Sequence, residues 1–356
     1  MRFFCNFMKG KLILKDGTEI EGEGFGANNS GAGEVVFSTG MMGYPESLTD
    51  PSYKGQILVL TYPLIGNYGV PEKALWESDK IHVSGLIVSD YIATPSHFQS
   101  KRSLGEWFNE EKIPLLEIKD TRFLTQKIRE KGVILGKIVF NKDIPFYDPD
   151  KINLVSQVST QEISSSHSNK VTSGKNILLI DCGAKRNIQR AFVKRGANVT
   201  TVPWDYDPFT DRKAPKFDAV VISNGPGNPK LIDKTIQVIK KFLDAKIPIL
   251  GICLGHQLLA LAAGGDTEKL KYGHRSQNQP CLMANSKRCY ITTQNHGFSV
   301  SEIPQGFDAW FTNANDSTNE GIIHKKLPIM SVQFHPEAIP GPIDTEWIFD
   351  FFLQKI

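Results

Sequence analysis

Residues 246–265 read Lys-Ile-Pro-Ile-Leu-Gly-Ile-Cys-Leu-Gly-His-Gln-Leu-Leu-Ala-Leu-Ala-Ala-Gly-Gly, and this stretch constrains the fold more than any other. An apolar run over 247–252 breaks at Gly251-Ile252-Cys253-Leu254-Gly255. Beyond the break Leu254, Leu258, Leu259 and Ala262 recur at helical spacing until Gly264. The pattern predicts strand, sharp turn, helix. A nucleophile elbow needs small residues two before and two after its nucleophile, because strand and helix backbones crowd there, and Gly251 and Gly255 meet that need. The dipole and N–H groups of a helix N-terminus make a thiol placed there more reactive. Cys253 therefore has two readings, a buried small apolar residue or a nucleophile.

The surroundings of this stretch set its architecture. Strand patterns at 176–181, 198–202, 218–223 and 247–252 alternate with helical patterns at 185–195 and 232–244. Such alternation predicts a mostly parallel sheet with helices on its faces. Cys253 then lies at the C-terminal end of a strand, where open α/β sheets place their ligands. Ser223-Asn224-Gly225-Pro226-Gly227-Asn228-Pro229 follows another strand at the same edge. It reads either as a plain tight turn or as backbone N–H groups that join the N–H of Leu254 in an oxyanion hole.

The first half differs. Short strand patterns at 11–14, 18–21, 34–38, 56–60 and 85–89, separated by glycine turns, predict a β-rich domain, with helices at 103–111 and 121–131, each with Ser or Thr near its start. Residues 22–27 faintly resemble a dinucleotide fingerprint, but no amphipathic helix follows, so they read as a glycine-rich turn. Residues 132–138 fall one residue short of a P-loop and lack its hydroxyl. Residues 37–53 read as a structured loop. From about Asp148 to Gly174 the pattern decays into polar sequence. The predicted organisation is an N-terminal β-rich domain (1–150), a linker (151–173) and a C-terminal α/β domain with the elbow (174–356); His167 falls in the linker as an exposed, inert residue.

Composition removes several function classes. A net charge of +3 over 356 residues, with no dense Lys/Arg run, predicts neither a nucleic-acid partner nor a membrane surface. The five cysteines do not form a disulfide framework and suggest a reducing compartment. The N-terminal apolar patch is too short for a signal peptide, no stretch reaches membrane-span length, and a cytoplasmic location is expected. Met8 is an alternative start to Met1.

A cysteine nucleophile needs a base and a group that orients the base. His335 ends the apolar strand pattern 329–334 and precedes Pro336 and Glu337. Proline biases His335 toward extended geometry, in which residues i and i+2 project to one side, bringing the Glu337 carboxylate near the imidazole. His256 points away from the elbow and packs or caps, His296 lacks a carboxylate at i+2, and His274 reads as part of a polar loop. No His/Cys cluster has ligand spacing, so no metal site is expected.

Together, 251–257, 223–227 and 334–337 resemble the class I, triad-type glutamine amidotransferases. More narrowly, 33–37, 42–44, 48–53, 60–67, 120–122, 181–187, 294–298 and 340–345 resemble the small chain of carbamoyl phosphate synthetase, from about Met8 to the C-terminus. The resemblance implies that Cys253 attacks glutamine to form a thioester, with His335 as base and Glu337 orienting it. It implies that Ser52, Gly225, Gly227, Leu254, Gln257, Asn295, Gly297 and Phe298 hold L-glutamine, with Ser52 bringing the pocket against a domain interface. It further implies no cofactor in this chain, and a large subunit, paired as a heterodimer or an oligomer of heterodimers, that uses ATP, Mg and bicarbonate to make carbamoyl phosphate. Alternatives are a catalytically silent regulatory subunit and an amidotransferase serving another synthase.

Overall fold

The computed structural model describes residues 8–168 and 174–356. The chain divides into two units, 1–149 and 150–356. Cys5 and residues 169–173 of the expected linker lie outside the described residues.

In the first unit, strands β1 (Met8–Leu14), β2 (Glu19–Gly24), β3 (Gly31–Ser38), β4 (Gln56–Leu60), β5 (Gly85–Val88), β6 (Leu115–Glu117) and β7 (Ile134–Val139) close into a barrel, in the order β1-β2-β6-β5-β4-β3-β7. The pairs β3–β4, β4–β5 and β5–β6 are parallel and the others antiparallel. Val36, Leu58, Leu86 and Val88 from the strands pack with buried Trp76, Trp107 and Phe108. Helix α2 (Leu104–Glu110) starts with a capping box between Ser103 and Glu106, which satisfies N–H groups that the first helical turn leaves open.

Three details depart from the sequence reading. The stretch 37–53 is more than a loop, since it holds α1 (Tyr44–Leu48) and a 3-10 turn at Pro51–Tyr53, whose start is capped by Asp50 accepting from Ser52 N at 2.9 Å. Helix α3 (Thr121–Lys131) is capped not by a hydroxyl but by Asp120, which accepts from Phe123 N. The first half of the glycine-rich turn expected at 22–27 is strand: Gly22 and Gly24 lie in β2, where the Glu117 carbonyl and the Phe140 ring occupy the space of any Cβ. Glycine serves close approach there rather than turning.

In the second unit the described residues form one sheet of strands β8 (Ser164–Ser166), β9 (Asn176–Asp181), β10 (Asn198–Pro203), β11 (Ala219–Ile222), β12 (Ile249–Ile252), β13 (Asp266–Met283), β14 (Cys289–Glu302), β15 (Phe307–Asn313), β16 (Asn319–His324) and β17 (Ile329–Val332). Their order is β14-β13-β15-β16-β17-β12-β11-β9-β10-β8. The parallel part, predicted from the βα alternation, is β10, β9, β11, β12 and β17. Beyond β17 the sheet continues as the antiparallel arm β16, β15, β13 and β14, so the fold is mixed rather than mainly parallel. Helices α5 (Asp233–Asp244) and α6 (Leu254–Ala262) cover one face, around Ile222, Ile239, Leu258 and Ile322. Helices α4 (Arg186–Lys194) and α7 (Trp347–Leu353) cover the other, where Phe192 and Phe349 meet edge to face at 5.1 Å.

The stretch 151–168 is not a bare linker. Val155 is buried in the core of the second unit, Leu154 lies beneath Gly227, and Ser164–Ser166 add an antiparallel edge strand to β10. His167 is exposed, as expected.

Candidate active site

The elbow forms where β12 passes into α6. Cys253 is the N-cap of α6 with φ 53° and ψ −102°, a conformation L-residues rarely adopt. Its N–H donates to Val332 O at 2.9 Å, and Gly255 N donates to Ser223 O at 3.1 Å, tying the turn to the neighbouring strand ends. A Cβ on Gly251 would stand 2.6 Å from Gly255 O, and one on Gly255 would strike the Ile222 carbonyl. Both glycines are therefore fixed by backbone crowding. Cys253 itself is buried.

His335 and Glu337 sit just beyond β17. The imidazole Nδ1 lies 2.6 Å from Glu337 Oε1, in line with the i, i+2 geometry expected from His335-Pro336-Glu337. Both side chains are sealed from solvent. Burial opposes charge on His335, but the Glu337 carboxylate and then the Cys253 sulfur more than offset it and raise the imidazole to about 10. Burial likewise pushes Glu337 up, yet Lys185 and then His335 override it and hold the carboxyl at about 2. With Nδ1 turned to Glu337, His335 Nε2 is left without a hydrogen bond, available to a proton from the cysteine side.

Three further groups belong to this site and were not evident in the sequence. Lys185 places Nζ 3.1 Å from Glu337 Oε1 and donates to Ala338 O at 2.6 Å, while being 2% exposed. Asn187, at the start of α4, donates to the Glu337 carbonyl. Gln333, two residues before His335, directs its amide N–H at Cys253 Sγ across 3.6 Å. Only membership of the 181–187 stretch marked Lys185, and no local pattern distinguished Gln333.

Of the residues expected to hold glutamine, Leu254, Gln257 and Asn295 lie close to Cys253 within the second unit. Leu254 opens α6, so its N–H has no acceptor one turn back. Gly225 packs against it, with the Leu254 side chain 2.9 Å from where a Cβ would be. Gly227 has φ 88°, which favours glycine. Gln257 uses its amide N–H groups on Phe298 O at 2.8 Å and Gln333 Oε1 at 3.0 Å, linking the 294–298 strand to the sulfur-facing amide. Asn295 presents its carbonyl 3.8 Å from Cys253 Sγ, and Gly297 follows one residue beyond His296. Ser52 belongs to the first unit, buried in the turn capped by Asp50. His256 packs within the core, its Nδ1 2.9 Å from Ser331 Oγ. His274 is not in a loop: it lies within β13, buried.

The family model of glutamine amidotransferase class-I matches residues 178–355, and that of the carbamoyl-phosphate synthase small chain, CPSase domain, matches residues 12–138. The chain is 46% identical to the arginine-specific small chain of carbamoyl phosphate synthase from Saccharomyces cerevisiae, over 98% of this chain and 89% of that one. It belongs to the carbamoyl-phosphate synthase small chain family. Two multifunctional proteins are also similar to this family member: URA2 of Saccharomyces cerevisiae, 47% identical over 97% of this chain, and CAD of Squalus acanthias, 49% identical over 96%. The chain spans only 17% and 16% of their lengths. In this small-chain family member, Lys185, Cys253, His335 and Glu337 fall within the amidotransferase match and Ser52 within the CPSase match. Among the described residues, no helix is long and apolar enough to cross a membrane.

Proposed function

We propose that this chain hydrolyses L-glutamine and passes the ammonia to a large synthetase partner that makes carbamoyl phosphate. The observation that carries the reading is the Cys253, His335, Glu337 arrangement at a strand-to-helix elbow, with His335 Nδ1 held by Glu337 and Nε2 left open.

The chemistry follows from those positions. Cys253 Sγ attacks the γ-carboxamide carbon while His335 Nε2 takes the thiol proton. The developing oxyanion is met by backbone N–H groups of Leu254 and the 223–227 turn. His335, kept protonated by its buried carboxylate neighbour, delivers that proton to the departing amine, and ammonia leaves. It then removes a proton from water, which opens the thioester and releases glutamate. Ser52, Gly225, Gly227, Leu254, Gln257, Asn295, Gly297 and Phe298 hold the glutamine. ATP, Mg and bicarbonate are bound by the large partner, as a separate chain or as a fused domain, in the cytoplasm.

The test is ammonia release from L-glutamine by the purified chain, alone and with the large partner and its substrates. Stimulation by the partner is expected; a chain that hydrolyses no glutamine in either setting would favour a silent regulatory subunit.

A further inference from the structure

The antiparallel arm of the second unit brings together three buried ligand-type side chains that the triad does not use. His274 on β13 faces His296 on β14 across the ladder, their rings 4.9 Å apart and perpendicular, and Glu320 projects from β16 beside them. One donor atom from each lies within 4.8 Å of the others, and all three residues are buried. They are separated in sequence by 22 and 24 positions, far from any local ligand spacing.

The hydrogen bonds around them leave one lone pair per ring aimed inward. His274 Nε2 lies 2.7 Å from Asp316 Oδ2, so with that nitrogen donating, Nδ1 carries the lone pair; Nδ1 has no hydrogen bond and stands 3.4 Å from Glu320 Oε1. His296 Nδ1 lies 2.8 Å from Phe298 O, which can only accept, so Nδ1 donates and Nε2 carries the lone pair. That Nε2 faces Gln294 Oε1 at 3.1 Å, an oxygen that has no proton to offer, while the Gln294 amide N–H donates to Glu320 Oε2 at 2.9 Å. A neutral His296 thus confronts an acceptor with an acceptor. Among the described residues, neither Asp316 nor Glu320 makes an ion pair with a lysine or arginine, although the Arg275 charge also acts on His296.

We propose that His274 Nδ1, His296 Nε2 and a Glu320 oxygen form a binding site for a divalent cation of the zinc class. Two imidazoles and a carboxylate are a zinc donor set, and bonds of about 2.0–2.2 Å at tetrahedral angles require ligand atoms about 3.3–3.6 Å apart. The His274–Glu320 separation of 3.4 Å already meets this. Each imidazole has its outer nitrogen on a carboxylate or a backbone carbonyl, the arrangement that orients metal-binding histidines. Gln294 Oε1 is placed to act as a fourth ligand, which turns its opposed lone pair on His296 into a shared bond to the metal. The +2 charge balances Asp316 and Glu320. The alternative state is a hydrogen-bonded cluster with His274 as an imidazolium between the two carboxylates.

The experiment uses the full chain carrying Cys289→Ser, which removes an exposed thiol that would bind metal on its own. Equilibrium dialysis against Zn2+ followed by metal analysis should give stoichiometric retention, and Co2+ should give the visible bands of a tetrahedral site. His274→Gln and Glu320→Gln should each weaken retention by 100-fold or more. Asp316→Asn, which removes no ligand, should weaken it about 10–100-fold by replacing the charged acceptor of the outer hydrogen bond with a neutral one. Absence of Co2+ bands, or retention unchanged by Asp316→Asn and by the ligand substitutions, would overturn the site.

Discussion

Lys185 Nζ lies 3.1 Å from Glu337 Oε1, with both side chains out of contact with solvent and His335 Nδ1 on the same carboxylate oxygen. The lysine is the group that makes a charged glutamate tenable at this depth. It therefore acts on His335 at one remove, and Lys185→Met should leave a buried carboxylate without its main counter-charge. Removing one partner of a buried pair costs about 3–5 kcal/mol. Chemical denaturation should show that loss, and ammonia release from glutamine should fall with it. Wild-type stability in Lys185→Met would mean that the ion pair is not what holds Glu337.

The pair also sets a pH signature. His335 is raised from an ordinary value of 6.5 to about 10, so its contribution to stability is complete below pH 6.5 and is lost as pH rises through 10. Glu337 is lowered from 4.5 to about 2, so its contribution is complete above pH 4.5 and is lost as pH falls through 2. The stability difference between wild type and Glu337→Gln should be largest between pH 4.5 and 6.5 and should shrink toward either extreme. Denaturation midpoints measured across pH decide this; a difference independent of pH would contradict the charged pair.

The elbow stores strain at Cys253. Cys253 has φ 53° and ψ −102°, which glycine adopts without a Cβ penalty. Cys253→Gly and Cys253→Ala both remove the thiol and should both abolish glutamine hydrolysis, yet the glycine variant should be more stable than the alanine variant by about 1 kcal/mol, the strain relieved less the added chain entropy. Melting temperatures of the two variants provide the comparison. An alanine variant at least as stable as the glycine variant would remove backbone strain from the account.

Gly255 offers a packing counterpart. A Cβ there meets the Ile222 carbonyl, a backbone atom that cannot swing aside. Gly255→Ala should push the start of α6 away from the end of β11, lowering both stability and glutamine hydrolysis. Folding and activity matching wild type would show that the turn can relax.

The readable parts of this molecule are those whose burial is apolar. The strands at Asn176–Asp181 and Gln56–Leu60 are continuous apolar runs, and both ends coincide with the sequence reading. The His335-Pro336-Glu337 spacing foretold a contact because two residues suffice to define it. The antiparallel arm was not legible, because β13 and β14 bury polar residues such as Arg275, Ser276, Gln294 and His296 in place of the alternating apolar side chains that mark a strand. The same cause hid His274, whose polar neighbours looked like a loop. Lys185 and Glu337 are 152 positions apart, and nothing local in either segment announces the other. Leu154 and Val155 carry no legible signal because the few apolar residues around them, Ile152 and Val158, are too short a run among polar residues to set a period.

Attack by Cys253 on glutamine requires a covalent γ-glutamyl adduct on that residue during turnover. Wild-type chain mixed with L-glutamine, quenched in acid during turnover and digested, should yield the Cys253 peptide with a glutamyl group in thioester linkage, labile to hydroxylamine, and Cys253→Ser should neither carry the adduct nor release ammonia. An unmodified Cys253 peptide during turnover, or ammonia release by Cys253→Ser at the wild-type rate, would contradict the account.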